Sequence, residues 1–431
     1  MTQQARTPIR VDDLTWLNMD RPNNLMVVSG LMWFRVQPDS AAVDDAIRTR
    51  IVDRFPVFSR RPIEAHGSWY WEDDADFALE RHVHHISLGA RSDLATLQEH
   101  ISARHTEPLP KDQALWRIEL ISGVHGVDAS GPVTVLFARF HHSLADGIRL
   151  VQLLLSLLDS ADDATRPSKV GRGRAGRSLQ AVLGRVVNNS MSAGKLLFGR
   201  PAAGTVWTGT PGQAKTLTWI DGIDLTRVKA AAAVGNATVN DVLLSAVAGG
   251  LRRYLIEQGD TRTNALPWLI PVALKPLEDN LPTELGNHFT LVNLSLPIDL
   301  DDPTARLREI HVRMGRLKNS DEALMVFGLQ KIVARTPRAI SVNLTNMVAN
   351  RNTGVLTNVP GPTGPMSLAG TEVSAIVGWN PTSGNQPVSV CLFSYNGQVT
   401  IGLCTDNGLI PDPAKVAHHL TEELSCAGLL S

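Results

Sequence analysis

The residues best suited to chemistry lie in one short run, FARFHHSLADGIRLVQLLL, at positions 137–155. His141 and His142 close an apolar stretch, and Asp146 and Gly147 follow just before an apolar, helix-like segment. The pattern puts all four at the joint between a strand and a helix. Side chains alternate across a strand, so two adjacent histidines point to opposite faces and cannot both serve one core. A neutral imidazole takes up a proton readily near neutral pH, which makes one of the pair a candidate general base. Asp146 fits two roles. It can cap the following helix, an interaction worth ~0.5–2 kcal/mol, or its carboxylate can return toward the histidines and clamp the loop. Gly147, with no side chain, leaves room for a substrate to approach. No metal is expected, because adjacent strand histidines diverge and no third ligand is spaced nearby.

The surrounding elements can be read from periodicity. VTVLFARFHH (133–142) is apolar enough for a central strand, and the alternating LWRIELISG (115–123) and MVVSGLMWFRV (26–36) read as further strands. DSAAVDDAIRTRIVDRF (39–55) and LATLQEHISARH (94–105) read as helices. Farther on, ATVNDVLLSAVAGGLRRYLIEQG (237–259) is a helix in which Val239, Leu243, Val247 and Leu251 recur every four residues. NALPWLIPVAL and FTLVNLSLPI read as strands, TARLREIHVRMGRLKNS as a helix. The chain ends in GVLTNVPGP, SVCLFSYNGQVTIGLCTD and a helix near 413–428. Residues 164–220 differ in texture, with nine Lys or Arg and no Asp or Glu. They read as a linker holding one amphipathic helix, either a solvated crossover or a contact with an anionic membrane surface.

A chain of 431 residues exceeds one ordinary core. Strands and helices mix without a strict βαβ rhythm, so the expected fold is mixed α/β in two domains of similar size. Residues 1–163 form the first, 164–215 the basic linker and 216–431 the second. The net charge of −1 gives no general attraction for nucleic acid. Three cysteines, Cys391, Cys404 and Cys426, suit a reducing compartment better than a disulfide framework. No signal-peptide core and no run of ~18 apolar residues is present, so a cytoplasmic chain, soluble or peripheral to a membrane, is expected.

HHSLADG matches the His-His-x-x-x-Asp-Gly motif of the chloramphenicol acetyltransferase-like superfamily, which includes condensation domains and plant acyltransferases. The chain most resembles one branch, the bacterial wax ester synthase/diacylglycerol acyltransferase family. LTWLNMDRPNNLMVVSGLMWF, RFPVFSRRP, ALWRIELISG, NATVNDVLLSAVAGGLRRYL, ELGNHF, TNVPGP and FSYNGQVTIGLCTD carry the likeness in order along nearly the whole chain. One departure is Ala114-Leu115-Trp116, where the family has Pro-Leu-Trp.

The resemblance implies two chloramphenicol acetyltransferase-like domains, each a mixed sheet with flanking helices, and an active-site channel between them. It implies His142 as the general base in acyl transfer from acyl-coenzyme A to a fatty alcohol or diacylglycerol, with no acyl-enzyme and no cofactor beyond that co-substrate. Asp146 would hold the motif loop. An acyl donor on a carrier protein, another acceptor, or a non-catalytic lipid-binding relative remain alternatives. Thr238 and Asp241 are spaced as a capping box, which accounts for Asp241 but not for Asn240. By family likeness Asn240 could donate to a developing oxyanion, or hold the active-site wall. Asp20 matches an acidic position near the substrate entrance, and Trp116 and Asp241 are weaker candidates for substrate contact. Because such products are nearly insoluble, work at a membrane or lipid-droplet surface is expected.

Overall fold

The computed structural model describes residues 6–89, 92–160, 204–260, 265–273, 281–287, 289–319 and 322–431. The larger part of the linker, 161–203, lies outside them, and with it the amphipathic helix expected there. The strand Lys215–Asp224 closes the linker. Lys215, one of the nine basic residues, is buried and paired with Asp406 at 2.5 Å, so it does not belong to a basic surface.

Two mixed sheets carry the molecule. The first runs, edge to edge, Ala375–Trp379, Val27–Phe34, Gly131–His141, Trp116–Asp128 and Val83–Ser87. All its pairings are antiparallel except the last. The second runs Phe289–Leu296, Leu266–Ala273, Gly354–Pro360, Val388–Tyr395, Gln398–Asp406 and Lys215–Asp224, with parallel pairing on both sides of Gly354–Pro360. The sheets do not divide at the linker. The edge strand Ala375–Trp379 comes from the C-terminal half and pairs with Val27–Phe34, Gly378 opposite Gly30.

Gly131–His141 is central and buried on both faces, which is why its sequence is nearly continuous in apolar residues. Leu136, Ala138 and Phe140 enter the N-terminal core with Trp116 and Leu150. Val133, Val135 and Phe137 enter a third core that includes Leu97, Leu217 and Trp379, and so joins the two halves. The second sheet packs on the helix Val239–Glu257, whose four-residue apolar repeat holds: Leu243, Val247 and Leu251 are buried with Leu356 and Leu403. That helix starts on the expected capping box. Asp241 N–H donates to Thr238 Oγ1 at 3.2 Å, and Thr238 N–H donates to Asp241 Oδ2 at 2.9 Å.

Elsewhere the bounds shift for local reasons. The helix expected over 39–55 spans Ser40–Ile47, capped by Asp39, and then widens so that Asp53 N–H reaches the Arg48 carbonyl at 2.9 Å. Four helices among the described residues were not expected: Val11–Met19, Leu225–Val234, Glu322–Ala334 and Arg338–Ala349.

Candidate active site

The histidines leave the central strand on opposite sides, as alternation requires. His142 N–H donates to the Met26 carbonyl at 2.7 Å, which pins the backbone where the strand ends. The His142 ring stacks on Trp16 of Val11–Met19, centroids 3.9 Å apart, with Phe289 of the second sheet at 5.5 Å. His142 Nδ1 lies 3.0 Å from Asn287 Oδ1. Asn287 Nδ2 in turn donates to Asp13 Oδ1 at 2.8 Å and to the His142 carbonyl at 3.1 Å. Burial pushes the imidazolium of His142 down to about 4, with the neighbouring His141 adding to the effect. The ring is therefore neutral at pH 7 and able to accept a proton. Burial also raises the Asp13 carboxyl to about 6, against the opposing pull of Asn287 and Arg10.

His141 does different work. Ser143 N–H donates to its Nδ1 at 3.1 Å, and Ser143 Oγ lies 2.7 Å from the same atom. With Nδ1 accepting, the proton of a neutral ring sits on Nε2, which faces Asp20 Oδ1 at 3.8 Å. Asp20 also accepts from Met26 N–H at 3.0 Å and has Lys111 Nζ at 3.6 Å. Burial pushes the Asp20 carboxyl up, but His141, the Met26 amide and Lys111 together bring it below its ordinary value. His141 and Asp20 thus brace the back of the motif.

Asp146 caps the helix Gly147–Ser156, accepting from Arg149 N–H at 2.9 Å. Its own N–H donates to the Gly286 carbonyl at 3.3 Å, and Ala145 bridges to Gly286. The buried Arg149 guanidinium donates to the carbonyls of Leu285 and Glu284. One loop of the N-terminal half therefore grips residues 284–286 of the other and delivers Asn287 to His142. A Cβ at Gly147 would meet nothing within 4 Å among the described residues beyond its own helix and chain neighbours, so this glycine borders open space. Asp146→Ala should lower both melting temperature and kcat, because it removes a cap worth ~0.5–2 kcal/mol and loosens the loop. Thermal melts beside steady-state kinetics check this. A collapse of kcat at unchanged stability would instead assign Asp146 to the chemistry.

The other candidates make no hydrogen bond to the side chain of His142 among the described residues. Asn240, half-buried in the first turn of Val239–Glu257, accepts from Asn358 Nδ2 at 2.8 Å through its Oδ1. No hydrogen bond among the described residues joins it to His142. Asp241 closes the capping box and pairs with His311 at 2.8 Å. Trp116 is a core residue: it is 1% exposed, donates to the Phe58 carbonyl at 2.8 Å and stacks on His82. No group of three metal-ligating side chains occurs among the described residues.

Asp13, Trp16, Arg149, Asn287 and Phe289 were not singled out from the sequence. Asp13 sits just ahead of LTWLNMDRP, which holds Trp16, and Asn287 and Phe289 lie in ELGNHF. Both runs carry the family resemblance, which was the available signal.

Comparison with known proteins places this site in a family. The wax ester synthase/diacylglycerol acyltransferase catalytic domain matches residues 10–200, and the WS/DGAT C-terminal domain matches 285–426. The protein named "O-acyltransferase WSD" of Acinetobacter baylyi is 24% identical, over 97% of this chain and 96% of its own. "Probable diacyglycerol O-acyltransferase" of Mycobacterium tuberculosis is 27% identical, over 90% of this chain and 88% of its own. In fold, the chain is similar to the wax ester synthase/diacylglycerol acyltransferase from Marinobacter aquaeolei, with a TM-score of 0.71 at 21% identity, covering 98% of this chain and 100% of that one. The first condensation domain of a calcium-dependent antibiotic synthetase shares the fold at a TM-score of 0.64 and 14% identity, over 99% of this chain and 97% of its own. With two family models matched in order and the histidine motif set between the two halves, the chain belongs to the wax ester synthase/diacylglycerol acyltransferase family.

Proposed function

We propose that this chain transfers a long acyl group from acyl-coenzyme A to the hydroxyl of a fatty alcohol or diacylglycerol, with His142 Nε2 as the general base. The single observation that carries the reading is the buried His142 ring, held through Nδ1 by Asn287 with Nε2 left to act. Nε2 takes the hydroxyl proton as the oxygen attacks the thioester carbon and the new C–O bond forms. The tetrahedral oxyanion collapses, the C–S bond breaks, and the imidazolium returns its proton to the departing sulfur, so coenzyme A leaves as the thiol and His142 is neutral again. Both substrates meet at one base, so no acyl-enzyme is needed, nor any cofactor beyond the acyl donor.

The acceptor and product are lipids, which favours work at the surface of a membrane or lipid droplet facing the cytoplasm. No single helix among the described residues is long and apolar enough to cross a bilayer, so attachment there would be peripheral. The test is an acceptor and donor panel. Palmitoyl-coenzyme A is offered with hexadecanol, dipalmitoylglycerol in vesicles, or short alcohols, and palmitoyl-loaded acyl carrier protein is offered with the same acceptors. Thiol release with a long-chain acceptor and palmitoyl-coenzyme A is expected. Release only from the carrier protein would shift the donor class, and no release from any pair would favour a lipid-binding role.

A further inference from the structure

We propose that Asn287 and Asp13 are positioning residues that hold His142 in one tautomer, its proton on Nδ1 and its Nε2 lone pair facing the substrate. The inference rests on His142 being the base and adds what sets that base up.

The hydrogen-bond polarity follows from donor counting. Asn287 Nδ2 carries two protons, and its two neighbours are acceptors: the Asp13 carboxylate at 2.8 Å and the His142 carbonyl at 3.1 Å. Flipping the amide would set its carbonyl oxygen against a carboxylate and a carbonyl, leaving three acceptors with no donor among them. So Nδ2 points at Asp13, and Oδ1 is left to accept. Its partner is His142 Nδ1 at 3.0 Å, which must then be the N–H. The other ring nitrogen is the basic one.

Burial gives this chain its importance. Asp13 and Asn287 are each 5% exposed, and His142 is 6% exposed. With so little of these groups exposed, the charge that the imidazole gains is only weakly screened by solvent. When Nε2 takes a proton, the Asp13 charge acts on the imidazolium through the polarised amide. The three members come from separate places: Asp13 from Val11–Met19, His142 from the end of the central strand, and Asn287 from the segment that Arg149 grips. The base is therefore complete only when the two halves of the chain are docked.

The order carboxylate, amide, imidazole can be exchanged, and this provides the test. In Asn287→Asp, the two buried carboxyl groups share one proton and the His142 carbonyl loses its donor, so the imidazole is held less firmly and kcat should fall at nearly unchanged KM. In the double variant Asp13→Asn/Asn287→Asp, the new amide donates to the new carboxylate, which accepts from His142 Nδ1–H, while the His142 carbonyl loses the donor it has in Asn287, so the recovery is partial. Its kcat should exceed that of Asn287→Asp by ~10-fold or more, the size of a coupling within one hydrogen-bond network. The ¹⁵N spectrum of the histidines gives a readout independent of turnover. Wild type and the exchanged pair should show His142 with a protonated Nδ1, and Asn287→Leu should show a mixture. A double variant no better than Asn287→Asp, or a wild-type His142 protonated on Nε2, would overturn the proposal. Wild-type protein showing the Nδ1–H signature but no acyl transfer would support the positioning chain and sink the functional reading alone.

Discussion

Replacing His142 by alanine is expected to lower kcat by ~10²–10⁴ while the protein stays folded, the usual cost of deleting a general base. The imidazole packs on Trp16 and Phe289, and its loss leaves a gap at the open end of a strand whose backbone stays pinned through Met26. KM should change little, since the base acts on the reacting hydroxyl in the transition state. His141→Ala should behave in the opposite way. It removes the partner of Ser143 and the neighbour of Asp20, so its effect should fall more on melting temperature than on turnover. Measuring kcat, KM and thermal midpoint for both variants separates the two histidines. Equal residual activity would mean that His142 has no special place in the chemistry.

The second large effect is expected at Asn240. If its amide donates to the oxyanion of the tetrahedral intermediate, Asn240→Ala should cut kcat by ~10²–10³, as for other single oxyanion donors, and raise KM much less. Asn358 Nδ2 occupies Asn240 Oδ1, which leaves the Asn240 Nδ2 as the group to be presented. The site is also the first turn of a helix, where unpaired N–H groups favour negative charge. Asn358→Ala should then lower kcat by a smaller factor, because the amide can turn over. A loss confined to the melting temperature in Asn240→Ala would return the residue to a structural role at the helix start.

How much of this was legible depended on whether a local rule applied. The split of His141 and His142 followed from strand alternation, the Thr238–Asp241 cap from its spacing, and the central strand from its unbroken apolar run. The members that complete the site obey no such rule. Val11–Met19 has only nine residues, and Arg10 ahead of it makes no side-chain cap. Asp13 and Trp16 therefore stood in a segment whose one helix signal was the acidic pair Asp12–Asp13 in its first turn. Asn287 lies outside any regular element, placed by Arg149 and Gly286 rather than by periodicity. Glu322–Ala334 carries Met325, Val326, Phe327, Leu329, Ile332 and Val333 without a polar face, so no period stands out. The capture of Ala375–Trp379 by the N-terminal sheet is a pairing that no local pattern encodes.

That captured strand has a consequence for biosynthesis. Gly30 and Gly378 are register partners although nearly the whole chain separates them. The edge of Val27–Phe34, apolar and almost wholly buried in the finished molecule, stays unpaired until the ribosome has passed residue 379. An open apolar edge is a template for pairing with other chains, and long-range strand pairing closes slowly. The N-terminal half thus reaches its native sheet only after most of translation is over, and a chain truncated before residue 375 exposes that edge permanently.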